Sequence, residues 1–148
     1  MRWQHVLTRD KPPVKQQVAN LRDKSIFADF ADLPHENELD TYFFGTTDGS
    51  RYSPRKHWCF LAEIDSIENF LRLRLIVKPG GARVPIAFYT DDRGAGFASQ
   101  AKRGYTVAVL YPEQHPFLDM TTGIRVEEEQ TVKVSFMVSC RVVSEALV

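Results

Sequence analysis

Apolar and polar residues alternate one by one through much of the middle of the chain, a period of two that predicts strands. The clearest run is 70–78. It sets Leu71, Leu73, Leu75 and Val77 on one face and Arg72, Arg74, Ile76 and Lys78 on the other. The run 57–67 sets Trp58, Phe60, Ala62 and Ile64 against Cys59, Leu61, Glu63 and Asp65. Val84, Ile86 and Phe88 mark a third strand over 84–90, and 105–111 reads as a fourth. A fifth covers 123–126 and 130–136, interrupted by Glu127-Glu128-Glu129. Pro79-Gly80-Gly81 predicts the hairpin turn between the second and third strands. Between the third and fourth, Gly94, Gly96 and Gly104 break the pattern, and 97–103 is long enough for one or two helical turns.

The N-terminal part follows a different rule. Pro12-Pro13 suits a helix start, where the missing N–H costs nothing. Val14, Val18 and Leu21 recur at helical spacing, extended by Ile26 and Phe27, which predicts a helix over 13–30. Pro34 and Glu36-Asn37-Glu38 end it, and 45–54 is a loop rich in turn residues. The order of elements predicts an all-β, or β-rich α+β, domain. Its architecture is a five-stranded OB-like Greek-key barrel with a short helix between strands three and four and an N-terminal helical extension. Three parts result: the helix and loop extension over 1–56, the barrel over 57–136 and an apolar tail over 137–148.

Composition narrows the class. The chain has 148 residues, 43% of them hydrophobic, which suits one domain with a true core and excludes a disordered tail. Cys59 and Cys140 are too few for a disulfide framework or a four-cysteine zinc site. The first residues, Met1-Arg2-Trp3-Gln4-His5, lead into no apolar signal region, and no apolar run approaches membrane-spanning length. The expectation is an intracellular protein, cytoplasmic or nuclear, without metal or cofactor. Lys+Arg and Asp+Glu balance at 19 each, yet unevenly: residues 51–103 hold 10 basic and 5 acidic side chains. Such a basic block is the footprint of a polyanion binder, and also of an ordinary solvated strand face.

Several phrases together resemble a known family. They are 70–78 (FLRLRLIVK), 85–94 (PIAFYTDDRG), 105–111 (YTVAVLY), 113–119 (EQHPFLD) and 123–127 (GIRVE). They resemble the region upstream of the zinc finger in fungal MYND-finger proteins. The resemblance covers about 57–136 and implies a protein-interaction or regulatory role, with no catalytic residues. The finger itself needs paired Cys and His ligands that this chain lacks, so no zinc site is implied.

Two groups of residues carry candidate chemistry. Arg72, Arg74 and Lys78, joined across the hairpin by Arg83 and Tyr89, fall on the strand-two and strand-three face that OB barrels use for ligands. Arginines there suit phosphates, and an exposed aromatic suits a base. Glu113, His115 and Asp119, with Asp91 and Asp92, put carboxylates and an imidazole in neighbouring loops. That composition suits acid–base work, and equally suits turn capping. Cys59 between Trp58 and Phe60 reads as a small buried hydrophobe. No phosphate loop and no nucleophile elbow is present. The leading expectation is a non-catalytic binding module for a protein partner or for self-association. The alternatives are a single-stranded nucleic-acid binder using the basic face, and a small enzyme using Glu113-Gln114-His115.

Overall fold

One long strand organises the molecule. The computed structural model describes residues 20–136. After a short ribbon of β1 (Phe44–Gly45) and β2 (Ser53–Pro54) comes β3 (Cys59–Phe70). Its first half pairs with β6 (Thr106–Leu110) and its second half with β4 (Arg72–Val77), both antiparallel. The register shifts between Ile64 and Ser66, a bulge that lets the strand bend from one partner to the other. β4 pairs antiparallel with β5 (Val84–Phe88), and β5 pairs parallel with β8 (Thr122–Val126). β7 (Gln114–Pro116) lies outside β8, and β9 (Val132–Ser135) lies outside β6. Between β5 and β6 is the one-turn helix α1 (Ala95–Ala98).

The sheet order is therefore β7-β8-β5-β4-β3-β6-β9. β8 and β9 are consecutive in the chain yet far apart in that order. In a flat sheet, five strand spacings would separate them by about 24 Å. The step from Val126 to Val132, with its 3-10 turn at Glu129–Thr131, reaches at most about 18 Å. The sheet must curl. The result is an OB-like barrel, with no ladder joining β8 to β6 among the described residues.

The alternation expected from the sequence decides the inside. Leu73, Leu75 and Val77 of β4 meet Val84, Ile86 and Phe88 of β5, Ile124 and Val126 of β8, and Trp58, Phe60 and Ile64. Gly94 closes one end of this core. Its φ is +84, and a Cβ there would stand 2.7 Å from the Leu73 Cβ, so only glycine fits both the turn and the approach.

The N-terminal region differs from expectation. The helix expected over 13–30 falls partly on 1–19, outside the described residues, as does the tail over 137–148. Over 20–30 the chain forms turns instead. The Asn20 Oδ1 accepts from the Arg22 N–H, and the Asp23 Oδ1 accepts from both the N–H and the hydroxyl of Ser25. These local bonds offer the backbone an alternative to a helix. Phe27 then bridges Cys59, and Cys59 N–H donates to the Ile26 carbonyl at 2.7 Å. This segment packs on the barrel: Leu33 and Phe43 are buried with its core.

Candidate nucleic-acid interface

The outward face of β4, β5 and β8 is built from the alternate positions of those strands. Arg74, Ala87 and Arg125 form one cross-strand row, since Arg74 is opposite Ala87 and Ala87 opposite Arg125. The same register places Arg72 opposite Tyr89, just past the end of β5. Tyr89 N–H donates to the Val126 carbonyl at 2.7 Å, which fixes the backbone there. The Tyr89 ring is 39% exposed. The Arg72 guanidinium lies 3.7 Å from its centroid and that of Arg125 lies at 5.0 Å. Ala87, between Arg74 and Arg125, is buried; the Arg74 side chain is 24% exposed and that of Arg125 39%.

The basic row is less free than its sequence implies. Arg74 pairs with Asp119 at 3.2 Å and with Glu68 at 3.7 Å. Arg83 pairs with Glu68 at 2.5 Å, Lys78 with Asp65 at 3.3 Å, and Arg125 with Glu127. Arg72 alone of these has no carboxylate within ion-pairing distance among the described residues. It reaches only the Phe88 carbonyl, at 3.5 Å. The structure thus brings Arg72, Arg74 and Tyr89 together, while Lys78 and Arg83 share the far end of the same face, Arg83 reaching back to the Glu68 that also pairs with Arg74. Ile76, expected on the polar face, is fully buried.

The loop between β7 and β8 closes one side of this surface. Phe117 lies with its ring 5.6 Å from the Arg74 guanidinium and 4.6 Å from the His115 ring. Asp119 is held by the N–H and hydroxyl of Thr121, then by Arg74, and these bonds keep its carboxyl below the usual range. Leu118 and Met120, on either side of Asp119, are fully exposed. At the opposite turn, Phe70 and Leu71 are 82% and 71% exposed.

Of Glu113, Gln114 and His115, the last two hold the N-terminal segment and the first lines a cleft. The buried Gln114 side chain donates to the Leu33 carbonyl at 3.0 Å, and its backbone N–H donates to the Pro34 carbonyl. His115 Nδ1 lies 2.5 Å from Glu36 Oε1. Both residues tie the N-terminal segment to β7. Glu113 lines a cleft of about 390 Å³ between β6 and β8, with Glu36 and Glu127. Burial first, then those two carboxylates, pushes its carboxyl up. Asp92 caps the turn before α1, accepting from the N–H groups of Gly94 and Gly96 at 2.9 Å. Cys59 is fully buried, and burial pushes its thiol up to about 12.

Sequence reasoning missed Arg125 and Phe117 as members of this surface. Arg125 was visible only as an outward position of the fifth strand; its meeting with Tyr89 depends on the parallel β5–β8 pairing. Phe117 carries no periodic signal.

No family model matches the chain, and the search of curated proteins likewise matches nothing. Among solved structures, the chain is similar to part of a replication protein A heterotrimer bound to single-stranded DNA. That similarity has 14% identity and a TM-score of 0.40, over 64% of this chain and 67% of that one. It is also similar to a chain of the S. pombe Stn1–Ten1 complex, at 14% identity and a TM-score of 0.46, over 82% and 83%. A third is Rim1, a mitochondrial single-stranded DNA-binding protein of S. cerevisiae, at 10% identity and a TM-score of 0.34, over 53% and 90%.

Proposed function

We propose that this chain is a non-catalytic binding module that takes single-stranded nucleic acid on the outward face of β4, β5 and β8. The observation that carries the reading is the Arg72–Tyr89 pair: an uncompensated guanidinium on a half-exposed aromatic ring. The guanidinium stacked on the ring extends its plane for a base to stack on and offers charge to the neighbouring phosphate. Arg74, Arg83 and Arg125 extend that charge by exchanging their carboxylate partners for phosphate oxygens. Such an exchange is possible because these ion pairs are solvent-accessible and individually weak. The face is also the one that OB barrels in general use for oligonucleotides, which is support by analogy of fold.

Catalysis has less support. Gln114 and His115 are engaged in holding the N-terminal segment, and Glu113 faces other carboxylates rather than a nucleophile. A protein partner is the second reading, supported by the resemblance to the region upstream of MYND fingers. The exposed side chains of Phe70, Leu71, Leu118 and Met120 would be its contacts.

The test is fluorescence anisotropy with labelled single-stranded DNA and RNA at two salt concentrations. The expected result is binding that weakens steeply with salt, and about fivefold or more with Tyr89→Ala. Absence of binding at low salt overturns the reading.

A further inference from the structure

Two turns, one next to Arg72 and one tied to Arg74, carry bulky apolar residues in a backbone conformation that favours glycine. Leu71, the single residue between β3 and β4, has φ +64, and Met120 has φ +70. A leucine or methionine in this left-handed region is sterically strained. Both side chains are also solvent-exposed, so neither offsets that strain by filling the core. The same two unfavourable choices, strain and exposed apolar surface, are made together at both turns.

Both turns border one surface. Leu71 directly precedes Arg72. Met120 follows Asp119, whose carboxylate accepts from Arg74 at 3.2 Å. Arg72 and Arg74 point the same way on β4, about 7 Å apart. The connections run Leu71, Arg72, Arg74, Asp119, Met120, so two guanidiniums stand between the two apolar residues in that order. A folded protein partner is best met by a continuous apolar area. A single nucleic-acid strand instead alternates apolar base faces with charged phosphates, and this surface alternates in the same way.

We infer that Leu71 and Met120 are base-contacting wedges, inserted beside bases of a single strand whose phosphates run over Arg72 and Arg74. The inference rests on the nucleic-acid reading given above and adds its discrimination: bases are available to such wedges in a single strand and stacked away in a duplex. A duplex would meet only the arginines.

Leu71→Gly and Met120→Gly test this, because glycine keeps the left-handed turn and removes only the side chain. Each variant should melt about 2–4 °C higher than the parent. Each should bind a single-stranded oligonucleotide about fivefold more weakly, with duplex affinity and salt slope unchanged. A 2-aminopurine base in the oligonucleotide should lose its binding-induced fluorescence change in the variants. If the parent chain binds no oligonucleotide, the nucleic-acid reading fails and the wedges fail with it. If the parent binds and Tyr89→Ala weakens it while both glycine variants bind as the parent does, the wedge role alone is overturned. The wedge role is equally overturned if the variants only abolish a concentration-dependent dimer in sedimentation, which would assign the tips to a second copy of the chain.

Discussion

The Arg72 guanidinium lies 3.7 Å from the centroid of the Tyr89 ring, just beyond the last pair of the β4–β5 ladder, Arg74 with Ala87. A cation on an aromatic face is held by the ring quadrupole, so the arginine is pre-positioned before any ligand arrives. Arg72→Ala should leave the fold intact, weaken oligonucleotide binding, and reduce the slope of log affinity against log salt by about 1. An unchanged slope in titrations at several salt concentrations would remove Arg72 from the phosphate contacts.

Gly123 has a structural duty on the same face. A Cβ there would stand 2.0 Å from the Pro85 carbonyl oxygen, a backbone atom that cannot swing aside. Gly123→Ala should therefore force β8 away from β5 and destabilise the chain by more than about 3 kcal/mol. Urea unfolding measures this; a loss below 1 kcal/mol, on the order of a surface substitution, would show that the two strands adjust freely.

Glu113 predicts a pH dependence. Burial and the nearby Glu36 and Glu127 raise its pKa in the folded state. The folded chain then holds that proton more tightly than the unfolded chain does. The associated stability is present below the ordinary carboxylate range and is lost as pH rises through the raised value. Glu113→Gln should raise the urea midpoint at neutral pH and leave it nearly unchanged at acid pH. A lower midpoint at neutral pH would mean that the carboxylate is stabilised there after all.

The Cys59 thiol, fully buried and pushed up to about 12, should be unreactive in the folded chain. In a Cys140→Ser background, a thiol reagent should label nothing under native conditions and one site in urea. Fast native labelling would show that the segment around Phe27 opens readily from β3.

Strand existence was legible in the sequence because it depends on neighbours two residues away. The alternation of Leu73 and Leu75 with Arg72 and Arg74 assigned the inside and outside of β4, and the Pro79-Gly80-Gly81 turn placed its partner. The glycine-bounded gap made a short helix between the third and fourth strands legible, but at 97–103, whereas the turn forms over Ala95–Ala98. What stayed hidden depends on contacts distant in sequence. Ile76 is buried although alternation alone assigns its face to solvent, and Cys59, read from the sequence as buried, owes its cover to the segment around Phe27. That segment forms turns rather than the expected helix because Asn20 and Asp23 bond locally and Phe27 is drawn onto β3.

The candidate site divides in the same way. Residue type and period placed Arg72, Arg74, Lys78, Arg83 and Tyr89 on one outward face, so the choice of side chains there was legible in the sequence. Which of those charges are free was decided by Glu68, Asp119 and Asp65, and Arg125 joined Tyr89 only through the parallel β5–β8 pairing. Local pattern reports which way a side chain points. Its partner is set by how the sheet curls, and only the folded chain contains that information.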